Sequence, residues 1–229
     1  MQIIATVTGL YIGKARERWD GKPPSAIGKE AVPGPLELGL DGFEDDEQAD
    51  RAVHGGPEKA LHHYPADHYA YWAARWPEHA ERLVAGGFGE NISTLGVAEA
   101  DVCIGDRFRI GSTLVEICQG RQPCWKLPAH TRIDEMAMAM QKSGRTGWYY
   151  RVLEGGRISV GDTMELTARP CPDWPLDRVV AARFDPHLDP SVAAAIAALA
   201  PLSASWRAAF EKKSKAGFSE DTTARLNGD

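Results

Sequence analysis

The opening stretch MQIIATVTGLYIGK alternates apolar and polar side chains with a period of two, the pattern of a strand with one buried face. The alternation returns in two matched stretches, VCIGDRFRIG (102–111) and ISVGDTMELT (158–167). In each, apolar positions lead into Gly-Asp and a second alternating run follows. Gly-Asp turns between short strands predict a barrel. After the first of them, Gly111-Ser112 predicts a tight hairpin turn into TLVEICQ, where Val115 and Ile117 alternate against Leu114 and Cys118. That strand ends at Gly120. Pro123 fixes its own backbone and pushes Gln122 toward an extended conformation, so Cys124 stands just past a strand end, where barrels commonly carry their sites.

Helical patterning interrupts the strands twice. YPADHYAYWAARWPEHAERL predicts a helix from near Pro65, broken at Pro77, with Tyr69, Trp72 and Trp76 as an aromatic stripe that reads as core. RIDEMAMAMQKSG predicts a second helix, with Thr131 as its cap and Gly144 as its stop. From RPCPDWPLD onward prolines cluster, and three alanine-rich helical stretches follow. The expected organisation is a mainly β (α+β) fold: a β-barrel domain with inserted helices over 1–171, then a small three-helix domain over 172–229. The closing EDTTARLNGD reads as loose.

Composition narrows the function classes. A chain of 229 residues, 43% hydrophobic and 25% charged, can bury a sizeable core without disulfides or a structural metal. The net charge of -6 argues against non-specific binding to nucleic acid or anionic lipid, so an anionic ligand must be met by a local basic pocket. EKKSK in the last helical stretch is a short basic run with no aromatic platform beside it, so direct nucleic-acid binding is not expected. The start lacks a basic n-region and a long apolar h-region, and VAAAIAALAPL falls short of the ~18 residues of a membrane span. A cytoplasmic protein is expected. Cys103, Cys118, Cys124 and Cys171 show no C-x-x-C spacing and read as reduced thiols.

Cys124, in GRQPCWKL, has Arg121 and Lys126 nearby, cations that favour a thiolate able to ligate a soft metal or attack an electrophile. The competing reading is a small apolar filler, which suits Cys118 and Cys103, each placed in a strand. In DRAVHGG, Arg51 and His54 precede paired glycines whose N–H groups can meet an anion, or simply turn. GKPPSAIGKE brings Lys22, Ser25 and Lys29 together without P-loop spacing, leaving an anion contact or a solvent-facing turn. Asn91 in FGENIST orients a polar ligand or makes a turn. The six acidic residues between Asp41 and Asp50 read as a solvated loop, and His54, His62, His63 and His68 match no zinc signature. No nucleotide, iron–sulfur or haem motif is visible, so electrons for any redox chemistry must come from elsewhere.

Taken in order, GKPPSAIGK, DEQADRAVHGGPEKALHHYP, GFGENIST, GDRFRIG, RQPCWKL, SGRTGWYYRVL and VGDTMEL resemble the MOSC-domain family, and more closely its YiiM-like branch with a C-terminal three-helix domain. The resemblance covers nearly the whole chain. It implies a β-barrel that binds the molybdenum cofactor, a phosphorylated pterin dithiolene, with one cysteine as metal ligand; the matching residue is Cys124. It implies Lys22, Ser25, Lys29, Arg51, His54, Asn91, Arg121 and Arg145 as cofactor contacts, with His54 also a proton donor, and pyridoxal phosphate is not expected. The implied activity is reduction of N-hydroxylated compounds, such as hydroxylaminopurine-type base analogues, to amines with electrons from a separate reductase. The alternative is a cofactor or sulfur carrier without turnover of its own. For the helical appendage, the expectations are a homodimer contact or a shield over the barrel mouth.

Overall fold

The computed structural model describes residues 4–49, 55–215 and Arg225. Eleven strands form among the described residues: β1 (Ile4–Ile12), β2 (Glu30–Ala31), β3 (Leu36–Gly39), β4 (Gly42–Phe43), β5 (Leu61–His63), β6 (Ile92–Leu95), β7 (Arg107–Ile110), β8 (Thr113–Gly120), β9 (Trp148–Glu154), β10 (Gly156–Ile158) and β11 (Thr163–Ala168). Seven of them close a ring in the order β1-β11-β7-β8-β9-β5-β6, with β6 returning to β1. All its pairs are antiparallel except β5–β6, so the barrel is mixed. Closure removes free strand edges. A small sheet, β10-β3-β4, stands beside it.

The alternation of the opening stretch becomes β1, in which Ala5, Val7 and Leu10 are buried. Gly111-Ser112 makes the β7–β8 hairpin, since Ile110 pairs with Thr113, and Gly111 takes φ 55°. Cys103 departs from the sequence reading. It lies outside the strands, meeting Pro175 in an isolated bridge, because Asp106 Oδ2 accepts its N–H at 2.8 Å and draws the chain into a turn.

Six α-helices complete the described fold: α1 (Asp67–Arg75), α2 (Lys126–Thr131), α3 (Met136–Ser143), α4 (Leu176–Phe184), α5 (Pro190–Ala197) and α6 (Ala204–Lys213). Trp76 leaves the helical region at the end of α1, and Pro77 begins a 3₁₀ segment to Arg82. Trp72 is fully buried and stacks on Trp76 with centroids 5.8 Å apart. Gly144 stops α3 in the left-handed region, as its sequence position predicts, but Thr131 does not cap that helix. Thr131 ends α2, its hydroxyl donating to the Leu127 carbonyl at 2.9 Å, and left-handed Arg132 separates the two helices.

The C-terminal helices pack on the barrel. One apolar core includes Val7, Phe108, Ile117 and Met164 of the strands together with Leu176, Val180, Trp206 and Phe210 of the helices. The close approach is visible at Gly120, where a Cβ would lie 2.6 Å from Val180 and 2.9 Å from Trp206. Only glycine lets α4 and α6 press on the end of β8. Among the described residues no helix is long and apolar enough to cross a membrane.

Candidate functional site

Where β8 runs out, the chain turns along the wall of a partly open cavity, whose empty space of about 710 Å³ includes the open solvent at its mouth. Arg121 is the first residue past the strand. Its N–H donates to the Gly147 carbonyl at 3.0 Å, extending the β8–β9 pairing by one step and fixing a side chain that is 6% exposed. Cys124 follows as a half-buried thiol on the cavity wall, its carbonyl accepting the Leu127 N–H as α2 begins.

The opposite walls come from distant parts of the chain. β5 supplies His62 and β9 supplies Tyr149, whose rings stack with centroids 4.8 Å apart. Phe88 and Gly89 line another side, shaped by Glu90 beneath them. The buried Glu90 carboxylate accepts N–H groups of Gly86 at 2.6 Å and Phe88 at 3.0 Å and the Tyr69 hydroxyl at 2.5 Å. Burial raises its pKa against those hydrogen bonds.

Asn91 and Lys29 line the cavity but are already engaged. Asn91 Oδ1 accepts the His62 N–H at 3.1 Å while its Nδ2 donates to Asp46 at 2.8 Å, so it braces β5 against the loop that carries Asp46. Lys29 lies 2.6 Å from both Asp46 carboxylate oxygens. Asp46 is therefore a buried ion-pair partner, not part of a solvated loop as the run of acidic residues suggested. Ser25 is buried in the same wall, with its hydroxyl accepting the Ile27 N–H at 3.3 Å.

Two polar atoms in this wall are buried without a hydrogen-bond partner among the described residues: His62 Nε2 and Arg121 Nη1. Such atoms are rare in folded proteins and cost stability unless something satisfies them. Burial, then the nearby Arg121 charge, hold the His62 pKa well below 6.5, so its ring is neutral at pH 7. The cavity thus offers a thiol, a guanidinium with an unused donor, a neutral imidazole and apolar walls at Ile27 and Phe88. That donor set fits a ligand that combines a soft metal with an anionic group.

Of the residues predicted from sequence, Ser25, Lys29, Asn91, Arg121 and Cys124 meet in this cavity. Lys22 and Arg145 are not among its lining residues. The Lys22 ammonium stands 5.5 Å over the Trp125 ring, and the Arg145 guanidinium lies 4.0 Å over Tyr71 of α1. Arg51 and His54 lie outside the described residues. From sequence His62 is only a zinc candidate, and Tyr149, Phe88, Lys59 and Gln122 are not site candidates, although each lies within one of the stretches that carry the family resemblance. The other described histidines of that cluster serve the fold: His63 bonds Tyr150 and Thr94, and His68 bonds Glu99. Burial pushes the Cys118 thiol up to about 12 and the Cys103 thiol up to about 11, which suits structural roles.

A closed mixed barrel with a thiol at its cavity wall agrees with the family comparison. The MOSC domain matches residues 50–165, and the YiiM-like 3-alpha helix domain matches residues 174–213. The chain belongs to the MOSC-domain family, with a YiiM-like helical extension. Protein YiiM of Escherichia coli is 42% identical over 219 residues, covering 96% of this chain and 97% of that protein. The crystal structure of YiiM from Escherichia coli aligns with a TM-score of 0.82 at 35% identity, covering 98% of each chain. A Gibberella moniliformis protein named as a reductase is 38% identical over 167 residues, covering 71% of this chain and 30% of the fungal protein.

Proposed function

We propose that this protein binds the molybdenum cofactor and reduces N-hydroxylated compounds, hydroxylaminopurine-type base analogues among them, to amines, using electrons from a separate reductase. The observation that carries the reading is the convergence of the Cys124 thiol with the unpartnered Arg121 Nη1 and His62 Nε2 on one cavity. Membership of the MOSC family and similarity to a protein named as a reductase support it.

When bound, the cofactor supplies oxygen-atom and two-electron chemistry at molybdenum. The protein's part is to hold and orient. Cys124 would hold the metal through its sulfur. Arg121 offers its unused donor to the cofactor's phosphate in a chain of net charge -6. His62 can hold a proton at Nε2 or take one there, and it is the described histidine that lines the cavity. His54 keeps its sequence-based role as proton donor. Phe88 and Ile27 give the cavity that holds the thiol part of its apolar lining.

The test is an assay of cofactor-loaded protein with a chemical reductant and hydroxylaminopurine. The expected result is amine product from the parent chain and none from Cys124→Ala. No amine from loaded parent protein would refute the reductase reading.

A further inference from the structure

The peptide groups on both sides of Cys124 are held by a single residue near the far end of the chain. The Trp125 N–H donates to the Arg225 carbonyl at 2.9 Å, and the Arg225 guanidinium donates to the Pro123 carbonyl at 2.6 Å. That carbonyl and that N–H belong to the two peptide bonds joining Cys124 to its neighbours. The same guanidinium donates to Gln141 Oε1 of α3 at 2.9 Å. With the Gln122 amide turned so that its oxygen faces the donors, Gln122 accepts from Arg225 Nε at 2.8 Å and from Arg183 of α4 at 3.2 Å.

Between β8 and α2 the Cys124 segment has no strand ladder to hold it. Anchors on the peptide groups of Cys124 include the Leu127 N–H on the Cys124 carbonyl and the two contacts from Arg225. A planar guanidinium suits this task, since its fixed fork reaches several acceptors at once and its hydrogen bonds are charge-assisted. Lysine, with one point of attachment, cannot span Pro123, Gln122 and Gln141 together.

We propose that Arg225 is a positioning residue: it fixes the backbone on either side of Cys124, keeps the sulfur at the cavity wall and ties the site to α3 and α4. Its importance for turnover rests on Cys124 being the working thiol. The test below does not, so failure of one can be told from failure of the other.

The experiment uses the full-length, cofactor-free chain and iodoacetamide, with alkylation resolved by site and amide exchange read at Trp125. Arg225→Ala keeps the main-chain acceptor of Trp125 but removes the guanidinium that docks it on Pro123 and Gln141, so exchange at Trp125 rises about tenfold or more and Cys124 alkylates about fivefold faster, while Cys171 stays within about twofold of the parent. The melting temperature holds to within about 2 °C. Arg225→Lys falls between parent and alanine variant. The proposal is overturned if Trp125 exchange and Cys124 alkylation match the parent, or if Cys171 accelerates in step with Cys124.

Discussion

Lys29 and Asp46 form an ion pair inside the cavity wall, with the ammonium 2.6 Å from each carboxylate oxygen and both side chains less than 10% exposed. Burial pulls the Lys29 pKa down and the Asp46 carboxylate pulls back. Asp46 also accepts the Gly13 N–H at 2.7 Å and the Asn91 amide, so the pair locks the end of β1 to the cavity. Removing one buried charge strands the other. Asp46→Ala is expected to cost roughly 3–5 kcal/mol in urea unfolding. The double variant Lys29→Met/Asp46→Leu should recover part of that loss, since it leaves no uncompensated charge. A loss below about 1 kcal/mol for Asp46→Ala would show that the pair is not holding the wall.

Arg121 should behave in the opposite way. Its buried Nη1 has no partner among the described residues, so without a ligand the donor is left unsatisfied. Arg121→Met keeps the side-chain bulk and removes that burden. The cofactor-free variant is expected to melt at or above the parent temperature, while cofactor retention after gel filtration falls about tenfold or more. A variant that melts well below the parent, with retention unchanged, would assign Arg121 to structure instead.

Stability should fall on acidification through buried neutral histidines. Burial lowers the His63 pKa to about 3, and burial reinforced by Arg18 and Arg82 lowers that of His130 to about 4, against an ordinary 6.5. Below pH ~6.5 the unfolded chain binds protons that the folded chain refuses, so stability is full above that pH and is lost as pH falls toward 4. The slope approaches ~1.4 kcal/mol per pH unit for a fully buried ring and is smaller for half-buried His130 because solvent screens it. Glu90 works against this trend, because its raised pKa favours the folded state at low pH. Urea unfolding of His130→Asn between pH 7.5 and 5 should show a shallower loss than the parent; an equal slope would remove His130 from the account.

Local pattern carried much of the fold. The alternation of β1, the Gly111-Ser112 hairpin, the end of β8 at Gly120 and the position of Cys124 just beyond it were all legible, because each depends on neighbours in sequence. The rest of the cavity depends on closure of the ring. His62 and Tyr149 stack because β5 pairs with β9, which joins residues far apart in the chain. Asp46 looked like one carboxylate in a solvated run until the fold set Lys29 against it. Arg121 and Arg145 looked equivalent as basic candidates, yet Arg121 extends a strand into the cavity wall while Arg145 follows α3 and covers Tyr71. Arg225 lay in a stretch that read as loose, and nothing local announces its reach to Pro123.

The most direct measurement is the molybdenum and pterin content of the purified chain from a cofactor-competent host, parent beside Cys124→Ala. The account predicts near-stoichiometric molybdenum and pterin in the parent and about a tenfold loss or more of molybdenum in the variant. A parent chain without molybdenum, or a Cys124→Ala variant that retains it in full, would contradict the assignment of Cys124 as the metal ligand.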